Sequence, residues 1–145
     1  MKDVAGRVRL IQSVDSLALA EAIGKRAPGQ EILLEVNIGA EPGKSGVLPE
    51  ALDELAAAVG ALGTLRVRGL MAIPPAGRPL GETIGTFTKI HNLFVDIRAK
   101  KYDNTDMTIL SMGMTHDFEP AIREGSTMVR VGTGIFGQRE GFMRT

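Results

Sequence analysis

A chain of 145 residues, 43% of them hydrophobic and 23% charged, has the make-up of one globular domain. Its 17 Lys and Arg balance 17 Asp and Glu, which argues against a dedicated nucleic-acid binder and gives no electrostatic pull toward anionic membranes. With no cysteine there is no disulfide framework or thiolate metal site, and with no long apolar run or apolar leader the expectation is a cytoplasmic protein.

Short β-branched runs alternate with longer amphipathic stretches. Residues 8–13 read as a strand, after which Asp15 or Ser16 caps a helix carrying Leu17, Ala20 and Ile23, stopped by Pro28-Gly29. Residues 32–38 form a second strand, apolar on both faces as a covered parallel strand is. A polar loop, 39–46, leads to Pro49 in the first turn of a helix with Leu52, Leu55, Ala56, Val59 and Leu62 on one stripe, ended by Gly63. A third strand covers 66–73. Pro74-Pro75 opens a loop, and the next helix, from about 82 to 100, repeats Phe87, Ile90, Phe94 and Ile97 at helical spacing. A fourth strand (107–111), a short helix (117–124) and a fifth strand (127–131) follow, and Gly132-Thr133-Gly134 turns into a last helical piece. The tail after Arg139 is expected to be loose.

Strict β-α alternation predicts a single α/β domain, residues 1–145, with a parallel sheet flanked by helices. Periodicity leaves two architectures open, a doubly wound sheet and part of a (β/α)8 barrel. A complete barrel needs about 250 residues, so a barrel here is partial, with about five βα units.

The stretch from Leu110 to Gly137 carries the chemistry. Ser111 ends the fourth strand, and Gly113 is placed to let the backbone approach a ligand. Gly132 and Thr133 end the fifth strand and open a helical turn whose free N–H groups favour a phosphate. Adjacent parallel strands deliver both loops to one end of the sheet. Arg130 is the only charge in the fifth strand and needs an acceptor if it points inward.

At these residues the chain resembles the pyridoxal phosphate homeostasis protein family, which groups with alanine racemase among fold-type III proteins. Leu10 to Ser16, Leu33 to Ile38 with Glu41, Lys44 and Gly46, Val67 to Pro74, Leu110 to Thr115 with Asp117 to Glu119, and Gly125 to Thr127 with Val129 to Gly137 match the family's strands four to eight in order. The resemblance implies a partial TIM barrel that binds pyridoxal 5'-phosphate (PLP) as a carrier rather than an enzyme. It implies that Ser111 gives its hydroxyl to the phosphate. Gly132 and Thr133 give it N–H groups, and Thr133 a hydroxyl as well. Arg130 faces the pyridine nitrogen and keeps it unprotonated, and Met71 and Asn37 lie near the pocket.

The chain departs from the family pattern at Thr115, where Ser is common, and at Gly134, where Ala is usual. The resemblance also implies that the first three strands are absent. With them goes the lysine that holds PLP covalently, and none of Lys2, Lys25, Lys44, Lys89, Lys100 and Lys101 matches it. PLP is therefore expected to bind non-covalently. The alternative is a fragment of an alanine-racemase-like enzyme. Exposed strand edges predict self-association. His116 is expected in a solvent-facing loop and His91 half-buried on its helix, since two histidines fall short of a zinc ligand set.

Overall fold

The computed structural model describes residues 3–138; Lys2 and the tail after Arg139 lie outside them. The elements are β1 (Leu10–Val14), α1 (Leu17–Arg26), β2 (Gln30–Val36), a 3-10 turn (Pro49–Ala51) running into α2 (Leu52–Ala61), β3 (Leu65–Ala72), α3 (Leu80–Lys100), β4 (Thr105–Met114), α4 (Phe118–Arg123), β5 (Met128–Arg130) and the single turn α5 (Thr133–Phe136). No described helix is long and apolar enough to cross a membrane.

All four strand pairings are parallel, and the spatial order is β1-β2-β3-β4-β5. Strand order equal to chain order, with each strand paired to the next, is the winding of a barrel wall; a doubly wound sheet reverses direction at a switch point. The five strands therefore form a half-barrel. Its curvature is visible in one contact. β1 and β4 are three strand spacings apart, about 14 Å if the sheet were flat. Yet Ser111 on β4 donates to Gln12 on β1 at 2.7 Å. Side chains of these lengths meet only across a concave face.

The helices cover the convex face. Phe87, Ile90, Phe94 and Ile97 of α3 and Leu52, Leu55, Ala56 and Val59 of α2 are buried against Ile32, Leu34, Val67, Leu70, Leu110 and Met112 of the sheet. Ser16, rather than Asp15, caps α1, its Oγ accepting from Leu19 N–H at 3.3 Å. Asp15 is used elsewhere: it accepts from Gly46 N–H and ties β1 to the loop after β2. β4 is longer than its apolar run suggests, because Thr105 pairs with Val67 of β3 and Met114 with Arg130 of β5, while Thr127 Oγ1, accepting from Leu110 N–H, and Ser126 Oγ, donating toward β4 carbonyls, fasten its middle to the start of β5. Gly69 permits the closest approach of β3 and β4, since a Cβ there would stand 1.7 Å from the Ile109 carbonyl oxygen.

The strand-entry end carries ion pairs. Arg68 lies 3.4 Å from Glu31 and 3.3 Å from Asp106, and Glu31 also meets Arg9. In barrels this end serves stability and the strand-exit end serves function.

Asp53 of α2 clamps the end of α3, accepting from the Tyr102 hydroxyl at 2.7 Å and from Lys100 at 3.2 Å. The bond from Tyr102, then that from Lys100, holds the Asp53 carboxyl below its ordinary range; the same bond to Asp53 raises the Tyr102 phenol. Tyr102 is the chain's one tyrosine, so phenolate absorbance reports it alone. We expect it to titrate above the ordinary value of about 10 and Asp53→Ala to return it toward that value. A raised folded pKa means that the bond's stabilisation is present through neutral pH and is lost as pH rises through the Tyr102 titration. A wild-type midpoint at or below the ordinary value would show the clamp to be absent.

Candidate functional site

Alternation along the strands puts one set of residues against the helices and the other on the concave face. The concave set includes Gln12 of β1, Leu33 and Glu35 of β2, Met71 of β3, Ser111 of β4 and Arg130 of β5. Register aligns part of it in a row: Glu35 pairs with Met71 and Met71 with Ser111.

Two strands supply the partners of Arg130, and a third supplies the partner of one of them. Its Nη1 donates to Ser111 Oγ at 2.6 Å and its Nη2 to the Ala72 carbonyl at 3.1 Å. Ser111, fully buried, donates its own hydroxyl hydrogen bond to Gln12 Oε1. The guanidinium is half-buried. Burial lowers its pKa, and the negative charges of Asp117 and Glu35 work against that shift. A guanidinium stays charged in a protein whatever the size of such a shift. It is a permanent cation, with part of its donor set still free for a ligand.

Above this layer the loops leaving β4 and β5 meet. Gly134 N–H donates to Thr115 Oγ1 at 3.1 Å. Gly132 and Thr133 lead into α5 at an exposed position, where the first amides of a helical turn have no partner inside the turn. Asp117 holds the β4 exit by accepting from Met114 N–H at 2.6 Å. Beside these loops, Glu35, Asn37, Lys44, Ser45 and Ile73 line a cleft of about 350 Å³ at the same end of the sheet. Lys44 is paired with Glu41 in that loop.

The residues singled out in the sequence are thus distributed over two layers. Gly132 and Thr133 stand on the rim and Arg130 beneath it. Ser111 lies at the depth of Arg130, with its hydroxyl enclosed and occupied by Gln12 and Arg130. The hydroxyl on the rim that meets the β5 turn is that of Thr115. Met71 is buried in the row between Glu35 and Ser111. Asn37 is buried just past β2 and folds onto its own loop, donating to Glu41 C=O and accepting from Glu41 N–H at 3.0 and 3.1 Å. Gly113 is not a point of ligand approach. At φ +93° a Cβ on it would stand 2.6 Å from Ala121 Cβ and 3.0 Å from Phe118 Cα, so it exists to seat α4 on β4. His116 is exposed in the turn after β4, and His91 is half-buried with its Nδ1 close to Gly125. Gln12 is the residue that sequence reading passed over. A glutamine inside an otherwise apolar strand is a signal, but only the curvature of the sheet says what it meets.

Residues 1–140 match the family model described as alanine racemase, N-terminal domain. The chain is 43% identical over 144 residues to a pyridoxal phosphate homeostasis protein of Aquifex aeolicus, covering 97% of this chain and 62% of the relative. It is 41% identical over 132 residues to the protein of that name in Escherichia coli, covering 88% of this chain and 55% of the relative. The chain thus spans about three-fifths of the length of these relatives. Among solved structures, PipY of Synechococcus elongatus without PLP superposes with a TM-score of 0.86 at 32% identity, over 94% of this chain and 65% of PipY. PipY with PLP bound gives 0.82 at 31%, over 94% and 64%. Alanine racemase of Corynebacterium glutamicum, at 18% identity, 86% of this chain and 34% of its own, shares the fold with a TM-score of 0.64.

Thr115 and Gly134, the two positions set apart in the sequence, meet in one packing contact. A Cβ on Gly134 would stand 3.0 Å from the Thr115 methyl and 3.1 Å from Val131 Cγ1. The methyl that Thr has and Ser lacks fills the space an alanine would need. Gly134→Ala alone should therefore be neutral or destabilising by up to about 1 kcal/mol. In a Thr115→Ser background it should stabilise by roughly 0.5 kcal/mol through the lost freedom of the unfolded glycine. Denaturant unfolding of the four chains measures the coupling, and additive effects would rule it out.

Proposed function

The chain belongs to the alanine racemase N-terminal domain family, and from that premise we propose that it binds PLP non-covalently as a cytoplasmic cofactor carrier. One observation carries the reading: the exits of β4 and β5 touch at Thr115 and Gly134, directly above a half-buried arginine that has no anionic side chain bonded to it among the described residues. The donors fit the two ends of the cofactor. A phosphate suits the Thr115 and Thr133 hydroxyls and the leading amides of Gly132 and Thr133. An unprotonated ring nitrogen suits Arg130, which can only donate. In this reading Ser111 serves the site from below, by holding Arg130. Met71 borders the ring and Asn37 shapes the loop beside it.

PLP, when bound, supplies an aldehyde and a ring able to draw electrons from it. Opposite Arg130 the ring nitrogen keeps no proton, which weakens that withdrawal and suits a carrier better than a catalyst. What the chain itself does is bind, orient and release.

Binding should appear as saturable heat or fluorescence change on adding PLP, with inorganic phosphate competing. Arg130→Met should weaken it by about tenfold or more, the loss expected of a charge-assisted hydrogen bond. No saturable binding at millimolar PLP, or binding indifferent to phosphate, would end the reading. A stoichiometric borohydride-fixed adduct on one lysine would end its non-covalent part.

The outer edges of β1 and β5 have no partner strand among the described residues. Unpaired parallel edges on a curved sheet invite pairing, so we also propose self-association. Light scattering should give a mass above one chain that falls on dilution, and a concentration-independent monomer would count against it.

A further inference from the structure

The chain of bonds beneath the rim has a direction, and Arg130 sets it. Arginine has no acceptor, so at Ser111 it can only donate. A serine hydroxyl has one proton, and with Arg130 on its lone pairs that proton must go elsewhere. Gln12 Oε1 at 2.7 Å is where it goes. The orientation of the Gln12 amide follows from this chemistry: were its nitrogen turned toward Ser111, the hydroxyl would accept from two donors and its own proton would be left without an acceptor among the described residues. Ser111 is fully buried, so water cannot substitute as the acceptor. Among the described residues only the Ala72 carbonyl also holds the guanidinium, through Nη2, and two points fix its plane where one would leave it free to swing.

We propose that Gln12 is a positioning residue. By accepting the Ser111 hydroxyl hydrogen bond it makes that oxygen a committed acceptor toward Arg130, and so locks the Arg130 guanidinium in one orientation. What Arg130 then meets, the ring nitrogen of PLP, rests on the function proposed above; how it is held rests on the bonds alone. The half-buried Gln12 amide nitrogen is left with no acceptor among the described residues, on the same concave face.

The test reads Arg130 without any cofactor. The full-length chain is treated with phenylglyoxal and modification of Arg130 is followed by peptide mass spectrometry, with the exposed Arg9 as internal standard. Gln12→Leu should speed Arg130 modification by about fivefold, the change in free population that one net hydrogen bond gives. Gln12→Glu, which keeps an acceptor for Ser111, should restore the wild-type rate. Ser111→Ala, the second variant should Gln12→Leu fail to fold, should speed it at least as much. A wild-type rate in Gln12→Leu, a rate in Gln12→Glu as fast as in Gln12→Leu, or no effect of Ser111→Ala would each overturn the proposal. PLP titration of the same proteins separates the two ideas. The expected Arg130 pattern in a chain that does not bind PLP would leave Gln12 its role and remove the cofactor. PLP binding with Arg130 indifferent to Gln12 would do the reverse.

Discussion

A half-buried cation that can only donate must be answered by acceptors, and in this fold the answer comes from two strands directly and from a third through a relay of hydrogen bonds. Arg130 stands on β5 and donates to Ser111 on β4 and Ala72 on β3, and Ser111 donates in turn to Gln12 on β1. No flat sheet can satisfy that set. The network and the curvature of the wall therefore require each other. A hydrogen bond to a charged group is worth about 1.5–3 kcal/mol, and leaving such a partner buried and unmet costs at least as much. This gives the concave face a defined geometry even where it faces no packed core.

The shortest strand holds the most consequential side chain. β5 has three residues, too few for its own ladder to fix Arg130 firmly. Ser126 and Thr127 make up the difference by bonding to the β4 backbone immediately before it. Such side-chain bonds to backbone are typical of Ser and Thr outside helices. The result is a rigid base under a rim of exposed amides and hydroxyls. That division suits a ligand with one end to be oriented and another to be grasped.

Much of the outer layer was legible from residue spacing. Phe87, Ile90, Phe94 and Ile97 are all buried, as their helical repeat requires, and so are Leu52, Leu55, Ala56 and Val59. Strand limits moved by one to three residues, because the end of a strand is decided by its neighbour's pairing; β4 gained residues where Thr105 pairs with Val67 and Met114 with Arg130. The site was legible as a place and less so as a division of roles. The glycine-rich stretch pointed to two loops that the structure brings into contact at Thr115 and Gly134. Depth along β4 was invisible to it: Ser111 and Thr115 are both hydroxyls four residues apart, and only one reaches the rim. Gly113 misled for a related reason, since a glycine that admits a helix and a glycine that admits a ligand read alike in one dimension.

The amino-acid order by itself determined the alternation of strands and helices, the buried stripes of α2 and α3 and the two glycine-bearing loops that meet past β4 and β5, because all of these depend on periods of 2.0 and 3.6 residues and on local turn chemistry. Tertiary structure decided the rest. Whether the sheet winds in sequence or reverses, which hydroxyl lies at the rim, and that Gln12 meets Ser111 across 99 positions of chain all depend on curvature. Curvature is a sum of many small twists between neighbouring strands, and no short stretch of sequence carries it.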